Sequence, residues 1–388
     1  MAHVENRAEE SGYLPNLWYN LLEVRLTYDP RTLIPFPVRG SIWKVKMESL
    51  YWDIKKPLSY NCLWNFILGM RGGGKTYGSL KYAIEQYLKN RKLGIKWQFM
   101  YVRRMKTELE KLTISRGGRL FRAVQQEFPT HDLRAESNVL YCDNEIIGYA
   151  QPLSTASILK SDAFPDVKLI IFDEFIIDNR GTYHYLKDEV TKFLDLYETV
   201  ARTRDVTVLF LSNAVTVTNP YFDYFHLNKP ANGDIQRFGQ SKEILVQSFV
   251  SQELANFKKE SRFGQIIKNS EYLEYAYENE WLLDNTDFIE RKTQRSKYYL
   301  TLRYKENWIG IWFDDVQWLY YVSSDVDLQY GQVYSVTTDD HKPNIMLFHA
   351  GRKLPWLKNL QDAYEMGAVR YESIKLKNWF RDIMRMCN

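Results

Sequence analysis

The chain has 388 residues, of which 45% are hydrophobic and 15% aromatic, and its formal net charge is +4 at pH 7. This length and composition predict two domains with real hydrophobic cores and argue against global disorder. The mild positive charge is compatible with a nucleic-acid partner but does not by itself indicate one. Three cysteines, Cys62, Cys142 and Cys387, have neither a metal-binding spacing nor a disulfide framework, which suggests a reducing compartment. With no run of 18 apolar residues and no apolar segment near the N-terminus, the sequence predicts neither a membrane span nor a signal peptide.

The first half of the chain has the pattern of an α/β domain. Residues 1–50 contain four prolines and no sustained periodicity, so we interpret them as an N-terminal extension. Between residues 51 and 225, short apolar runs alternate with helical patterns. The predicted strands are 62–69, 97–104, 138–143, 146–153, 167–175 and 206–214, and the predicted helices are 75–88, 109–128 and 188–204. Such alternation indicates a parallel sheet covered on both faces.

The second half of the chain has a different sequence pattern. Residues 226–265 are polar and contain Pro230, Gly233 and Gly239, which predicts a linker or small connecting subdomain. Residues 266–388 form a predicted α+β domain. Its aromatic alternating runs at 297–304, 307–315, 318–324 and 333–338 predict a mostly antiparallel sheet, followed by helices within 356–386.

A phosphate-binding loop follows the first predicted strand. The sequence matches G-x-x-x-x-G-K-[ST], the Walker A pattern, between a strand and a helix, which is the context that the motif requires. Glycines let backbone N–H groups approach phosphate oxygens at a helix N-terminus. We expect Lys75 to bind the β- and γ-phosphates of ATP and Thr76 to bind Mg²⁺. The loop residues are Gly69, Arg71, Gly72, Gly73, Gly74, Lys75 and Thr76, and Arg71 is placed to face either its own phosphates or a neighbouring subunit.

Two adjacent carboxylates end the most apolar strand of the chain. Val167–Phe172 is followed by Asp173 and Glu174, which is a Walker B pattern. Ligands of α/β sheets bind at the carboxyl ends of the strands, so Asp173 is expected to hold Mg²⁺ and Glu174 to orient and deprotonate the attacking water. Since phosphoryl transfer to a bound hydroxyl does not generally need the second carboxylate, the pair predicts ATP hydrolysis.

Two further polar groups are candidates for the same site. Asn213 ends the predicted strand 206–214 and is suited to sensing the γ-phosphate, although an N-cap or turn role is equally compatible. Arg202 and Arg204 follow the predicted helix 188–204. An arginine at this place is able to reach the γ-phosphate of a neighbouring subunit, whereas a surface salt bridge is its more common role.

Taken in order, these residues resemble the DNA-packaging ATPases of phi-29-type short-tailed phages, a terminase-like family. The resemblance covers roughly residues 55–388. It rests on the stretches NFILGMRGGGKTYG, MYVRRMKTEL, VQQEFPTHDL, FPDVKLIIFDEFI, TVARTRD, LSNAVTVTNPYF, RFGQIIKNSEY and VYSVTTDD. Of these, YVRR, FDEF and LSNAV are specific to that family rather than general to P-loop proteins. The first 50 residues have no counterpart that we can match.

The resemblance implies an ATPase domain of the class with an additional strand and a catalytic glutamate, followed by an RNase H-like domain without a working metal site. It implies a homomeric ring, pentameric in the type member, that pumps double-stranded viral DNA through the portal vertex of a preformed capsid in the host cytoplasm. By position, Arg202 matches a trans-acting arginine finger, and Lys160 matches a lysine that also reaches the neighbouring site. The type member docks through a phage-encoded structural RNA, and the sequence leaves open whether this chain does so.

Contacts with DNA are expected to be directed at the phosphate backbone, because a packaging motor must accept any sequence. Arg103, Arg104 and Lys106, just past a predicted strand, are the candidates, although Arg103 is equally placed to brace the phosphate loop. The basic C-terminal tail, with Trp356, Trp379 and Arg381, is compatible with RNA, with the portal or with simple helix packing.

Two acidic pairs, Asp314-Asp315 and Asp339-Asp340, raise the question of nuclease activity. Nucleases of this fold gather three or four carboxylates around one or two metal ions. Asp-Asp pairs at strand ends are also common without any metal, and the resemblance implies a degenerate site. We therefore expect no working nuclease.

The sequence thus favours a ring ATPase that translocates double-stranded DNA. Two alternatives stay open at this point. One is a helicase- or recombination-type P-loop ATPase acting on nucleic acid. The other is a nucleotide-binding capsid or RNA-binding protein without turnover, which the Asp173-Glu174 pair disfavours.

Overall fold

The computed structural model describes residues 50–113, 119–177, 184–214, 216, 218–278, 287–329, 331–343, 345–348 and 355–387. The chain divides into two units, Met1–Tyr51 and Trp52–Asn388. The predicted N-terminal extension falls almost entirely outside the described residues, so the fold below is that of the second unit. Within the described ranges, no helix has the length and apolar character needed to cross a membrane.

A nine-stranded sheet dominates the first part of this unit. Its strands are β1 Trp64–Gly69, β2 Gln98–Arg103, β3 Leu133–Glu136, β4 Val139–Cys142, β5 Glu145–Pro152, β6 Val167–Asp173, β7 Thr207–Ser212, β8 Ile235–Phe238 and β9 Ile244–Phe249. They lie in the order β3-β4-β5-β2-β6-β7-β1-β9-β8. The six strands from β5 to β9 in that order are parallel, while β3, β4 and β8 pair antiparallel with their neighbours. The predicted α/β fold with a mainly parallel sheet is confirmed.

Helices cover this sheet. They are α1 Lys55–Leu58, α2 Lys75–Lys92, α3 Lys106–Thr113, α4 Glu189–Ala201, α5 Pro220–Tyr224, α6 Gln252–Glu260, α7 Arg262–Ile266 and α8 Glu271–Glu278, with 3₁₀ helices at Arg119–Phe121, Gln125–Glu127 and Leu153–Ser161. α2 buries Leu80, Ala83, Ile84 and Tyr87, whose spacing places them on one helical face. Aromatic rings also pack on the strands, for example the stacked pair Phe66 and Phe210 at 4.1 Å between ring centroids.

The segment predicted as a linker belongs to this sheet. β9, within residues 226–265, pairs parallel with β1, and β8 pairs antiparallel with β9. The prediction of a separate connecting segment starting at residue 226 is therefore wrong for residues 235–249. The polar residues around β9 led to the error, because only Leu245 and Val246 in this strand are buried large hydrophobic residues.

A six-stranded sheet forms the second part. Its elements are β10 Lys297–Tyr304, β11 Asn307–Asp314, β12 Leu319–Ser323, β13 Val333–Ser335, β14 Met346–Leu347, β15 Val369–Tyr371 and the helices α9 Pro355–Glu365 and α10 Ile374–Cys387. The strand order is β14-β13-β10-β11-β12-β15. Only β10–β11 and β11–β12 are antiparallel, and the other three pairs are parallel. The expected mostly antiparallel sheet is thus wrong, because the connections after β12 and β14 return the chain to run alongside β10 and β12.

The C-terminal helices pack against this second sheet. Trp379 lies buried on α10, and the Trp356 ring lies 4.5 Å from Tyr334 between centroids. Of the roles that the sequence left open for these two tryptophans, helix packing is therefore the one observed.

Polar contacts join the two parts. Asp223, on α5, pairs with Lys375 at 3.2 Å and with Lys305 at 3.7 Å. The side chain of Asn378 donates to the Thr218 hydroxyl at 3.1 Å. The first sheet is thereby connected to β10, β11 and α10 through charged and polar side chains.

Candidate nucleotide-binding and catalytic site

Four neighbouring parallel strands end at one edge of the first sheet. In the order β2, β6, β7 and β1, their carboxyl ends lead to Arg103, to Asp173 and Glu174, to Asn213, and to the phosphate loop. Because the carboxyl ends of parallel strands meet at the same edge, residues separated by more than a hundred positions come together there. The structure thus brings most of the site residues predicted from the sequence into one place.

The phosphate loop has the backbone that its glycines allow. Gly72 has φ of 68° and Gly74 has φ of 87°, in the left-handed region that glycine adopts without strain. Gly74 is the N-cap of α2, and no acidic residue lies in the first turn of that helix. The positive end of the helix dipole is therefore free to attract an anion.

Lys75 is held inside this loop. Its Nζ donates to the carbonyl oxygens of Gly69 at 2.7 Å and Met70 at 3.1 Å, and to Asn213 Oδ1 at 3.0 Å. Burial lowers the pKa of Lys75 to about 7, while the nearby charge of Asp173 opposes that shift. Asn213, which the sequence singled out as a phosphate sensor, contacts the loop lysine directly.

A hydroxyl and a carboxylate lie where a divalent cation would bind. Thr76 Oγ1 donates to Asp173 Oδ1 at 3.1 Å and to Oδ2 at 3.0 Å. The buried hydroxyl of Tyr101 donates to Asp173 Oδ2 at 2.8 Å. Burial raises the pKa of Asp173, and the charge of Arg103 acts in the opposite direction. Hydroxyl and carboxylate oxygens are the ligands that Mg²⁺ prefers, so this donor set fits the ion.

Glu174 projects from the same strand end. Its φ of 60° lies in the left-handed region, which is uncommon for a residue other than glycine. The side chain is 59% exposed, and its carboxylate accepts from Arg103 Nη2 at 2.7 Å. A second guanidinium nitrogen, Nη1, lies 3.5 Å from Asp173 Oδ2. Arg103 therefore orients both acidic residues.

Arg104 has a different position from its neighbour. Its guanidinium forms two hydrogen bonds with Glu189, at 2.7 and 2.9 Å, and donates to the carbonyl oxygens of Glu174 and Phe175. The side chain is 2% exposed. The expectation that Arg104 contacts DNA is wrong, because the guanidinium is buried and occupied within the fold. Lys106 remains a candidate, with a side chain that is 66% exposed and an ion pair to Glu110 one turn away.

Arg202 lies at the far end of the sheet. It follows α4 and donates to the carbonyl oxygen of Asp162, just before β6 begins. The phosphate loop lies at the other edge, and strands of six or seven residues separate the two edges by roughly 20 Å. Arg202 is exposed and does not reach Lys75 of its own chain. The side chain of Lys160 lies outside the described residues.

Sequence reasoning missed several residues of the site. Tyr101 belongs to an apolar strand and has the pattern of a core residue. Tyr272 and Lys258 contact Arg71, which the sequence did place in the loop: Arg71 Nη1 donates to the Tyr272 hydroxyl at 3.2 Å, and the Arg71 carbonyl oxygen accepts from Lys258. Trp52 donates from its main chain to the Gly73 carbonyl oxygen at 2.9 Å. Since these contacts link distant parts of the chain, no local motif could have found them.

The acidic pairs of the second sheet do not form a comparable centre. Asp314 accepts from the backbone N–H groups of Val316 and Gln317 and from the Thr293 hydroxyl. Asp340 accepts from the backbone N–H groups of Lys305 and Glu306 and from Thr337. Both carboxylates are thus engaged in holding turns. In the described part of the chain, the one group of three metal-ligating side chains is His131, Cys142 and Asp143, which lies elsewhere.

The chain matches known proteins over most of its length. Residues 46–387 match the family model of the podovirus DNA encapsidation protein (Gp16). The DNA packaging protein of Bacillus phage phi29 is 35% identical over 339 residues, which cover 87% of this chain and 98% of that protein. The DNA packaging protein of Bacillus phage B103 is 37% identical over 319 residues, covering 81% and 94% respectively.

A solved structure is also similar. It is that of the bacteriophage phi29 viral genome packaging motor assembly, with a TM-score of 0.70 and 32% sequence identity. The match covers 87% of this chain and 100% of that chain. Together with the family model, these similarities show that the chain belongs to the podovirus DNA encapsidation protein (Gp16) family.

Proposed function

We propose that this protein is the ATPase of a phage packaging motor, which drives double-stranded viral DNA into a preformed capsid. It acts as a homomeric ring, pentameric as in the type member, at the portal vertex in the host cytoplasm. Family membership supports this function, and the geometry at the sheet edge supports ATP hydrolysis. The observation that carries the proposal is the position of Glu174, beside the Thr76–Asp173 pair and next to the phosphate loop.

The chemistry follows from the side chains at that edge. Lys75 and the loop N–H groups bind the phosphates of ATP, and Thr76 and Asp173 hold Mg²⁺, which supplies positive charge to the phosphate oxygens. Glu174 accepts a proton from the attacking water. The hydrogen bond from Arg103 fixes the direction of the Glu174 carboxylate, and the bond from Tyr101 fixes that of Asp173.

The strand order supports the finer fold assignments. β7 lies between β1 and β6, so an additional strand separates the phosphate loop from the catalytic glutamate and carries Asn213 at its end. In the second sheet, β10, β11 and β12 form an antiparallel meander, and β13 and β14 extend it in parallel on the β10 side. This is the arrangement of RNase H-like sheets.

The position of Arg202 supports action on a neighbouring subunit. Because it lies at the edge opposite its own phosphate loop, its guanidinium serves a nucleotide only where another chain presents one. Lys160, on the 3₁₀ helix that ends just before Asp162, is proposed to reach the same neighbouring site.

Mixed rings test this arrangement. Rings of Arg202→Ala alone are expected to lose roughly 10³- to 10⁵-fold in ATP turnover, and rings of Glu174→Gln alone are expected to lose about 10²- to 10⁴-fold. Mixing the two variants should restore turnover, because a subunit with intact Glu174 then receives Arg202 from its neighbour. Arg122→Ala, at another exposed arginine, is the control. Failure of the mixture to recover activity would contradict action in trans.

The proposed function as a whole is tested by ATP hydrolysis of the purified protein, with its oligomeric state recorded alongside. Weak basal turnover that rises when double-stranded DNA or portal is added supports the proposal. Duplex strand separation would instead indicate a helicase. Nucleotide binding without phosphate release, in rings supplied with DNA and portal, would indicate a scaffold protein.

A further inference from the structure

Arg71, in the phosphate loop, forms hydrogen bonds with two of the helices that follow β9, α6 and α8. Its backbone N–H donates to the Ala276 carbonyl oxygen at 3.0 Å, and its guanidinium donates to the Tyr272 hydroxyl. Its carbonyl oxygen accepts from Nζ of Lys258, on α6. Both polar groups of the Arg71 backbone and its side chain are therefore held by residues from α6 and α8.

Lys258 lies against the loop itself. A Cβ placed on Gly72 would be 3.0 Å from Lys258 Nζ, so the ammonium group lies directly beside the backbone of the loop. The other face of the ammonium is near the Tyr277 ring, at 5.5 Å from the centroid. An ammonium group has three N–H donors. In the described residues, the Arg71 carbonyl oxygen is the hydrogen-bond acceptor that it uses.

Among the described residues, the charged group that acts on Lys258 is Arg71, and no ion pair joins Lys258 to a carboxylate. Burial, with the charge of Arg71 in second place, lowers the pKa of Lys258 to about 8. The positive charge of Lys258 in turn adds to the burial that lowers the pKa of Lys75. Arg71, Lys75 and Lys258 therefore converge on one loop, where Asp173 and Glu174 offset the charge of Lys75, and an anion beside Lys258 would relieve its repulsion with Arg71.

We propose that Lys258 is a second lysine for the phosphate chain of the nucleotide, supplied to the loop by α6 of the same chain. The proposal rests on the ATP site proposed above and adds a residue to it. An ammonium group that already contacts the loop backbone reaches a bound polyphosphate with its remaining donors. Since α6 follows β9 directly, the phosphates of ATP then contact the segment that leads to the second sheet.

Nucleotide affinity provides the first test. In Lys258→Met, ATP is expected to bind about 10- to 100-fold more weakly at pH 7, because a charge-assisted hydrogen bond is lost. Lys258→Arg keeps the charge and should retain most of the affinity. The matched control is Lys259→Met, one residue further along α6, which should bind ATP within about 2-fold of the wild type. Affinities for ATP and ADP are measured by titration calorimetry on the full chain.

The pH dependence of ATP affinity distinguishes a direct contact between Lys258 and phosphate from a role in stabilising the loop alone. A bound phosphate raises the pKa of Lys258 above its value of about 8 in the free protein, so the contribution of Lys258 to affinity is complete below about pH 8 and falls as the pH rises from there through the raised pKa. The wild type should therefore lose affinity above pH 8 more steeply than Lys258→Arg, whose guanidinium stays charged. Because both proteins keep a positive charge beside Lys75 up to about pH 8, the difference between the two profiles reports on Lys258. If Lys258 only stabilised the loop, its substitution would change thermal stability, and the two plots of ATP affinity against pH would stay parallel.

The outcomes are distinguishable. Equal ATP affinity in wild type and Lys258→Met, or parallel pH profiles, would overturn the inference and leave the proposed ATP site intact. Absence of ATP binding by the wild-type protein would instead overturn the proposed function.

Discussion

The two sheets of this protein use aspartate and glutamate in opposite ways. At the carboxyl edge of the first sheet, Asp173 and Glu174 are adjacent to a hydroxyl, a guanidinium and a phosphate loop. In the second sheet, Asp314 and Asp340 accept from backbone N–H groups of nearby turns. The first pair faces a place where a ligand fits, whereas the second pair is occupied by the fold.

The comparison shows that an Asp-rich strand end is informative only together with what converges on it. Asp173-Glu174 and Asp314-Asp315 are similar in sequence, since each ends an apolar strand. They differ because the neighbours of β6 are parallel and bring further polar groups to the same edge. β11 runs antiparallel to both neighbours, so the chain turns back locally and the turn uses the carboxylate.

The largest expected effect is on catalysis at the first sheet. Glu174→Gln removes the group that we propose as the acceptor of the proton from water, and it should lower ATP turnover by about 10²- to 10⁴-fold. Nucleotide binding should be retained, because Lys75 and the loop are unchanged. Phosphate release and nucleotide titration measure the two quantities separately. Unaltered ATP turnover in Glu174→Gln would contradict a catalytic use of this carboxylate, and with it the contrast drawn between the two sheets.

A large effect on stability is expected just behind the site. Arg104→Met leaves Glu189 buried without its cation and should lower the free energy of unfolding by about 3–5 kcal/mol. The double variant Arg104→Met/Glu189→Leu should recover part of that loss, because no buried charge is left unpaired. Chemical denaturation measures both, with Lys106→Met as the exposed control. A loss below about 0.5 kcal/mol in Arg104→Met would contradict the buried pair.

The smallest expected effect is at the acidic residues of the second sheet. Because the Asp314 carboxylate is held by Thr293 and the turn N–H groups, no cleavage of plasmid DNA is expected with Mn²⁺, and Asp314→Ala should not differ from the wild type in this assay. Hydrogen bonds from Thr293 and from the Gln317 backbone lower the pKa of Asp314, which reflects the same engagement. Metal-dependent cleavage that disappears in Asp314→Ala would show that both sheets carry catalytic centres.

Much of the first sheet was predictable because its strands are apolar and its motifs are local. Asp173 and Glu174 stand at the end of such a strand, and Lys75 and Thr76 follow another through the phosphate loop, so their grouping follows from parallel strand order. β8 and β9 were missed because polar, glycine-containing residues surround them. The pairing of β9 with β1 spans about 180 positions and leaves no local signal.

The errors at single residues have a related cause. Arg104 follows a strand and has the pattern of an exposed basic residue, but its partner Glu189 is 85 positions away. Tyr101 has the pattern of a core residue. Its hydroxyl finds a partner because β6, which carries Asp173, pairs with β2. The parallel pairing of β13, β14 and β15 depends on how long connections cross the sheet, which alternating hydrophobicity does not encode.

The ion pairs of Asp223 determine what kind of connection joins the two sheets. The ion pairs of Asp223 with Lys305 and Lys375 are directional, and because the Asp223 side chain is only 11% exposed, salt screens them less than it screens a surface pair. Polar interfaces within a chain permit one part to shift relative to the other. The two sheets, each with its own hydrophobic core, are therefore joined by directional contacts that break and re-form without unpacking either core.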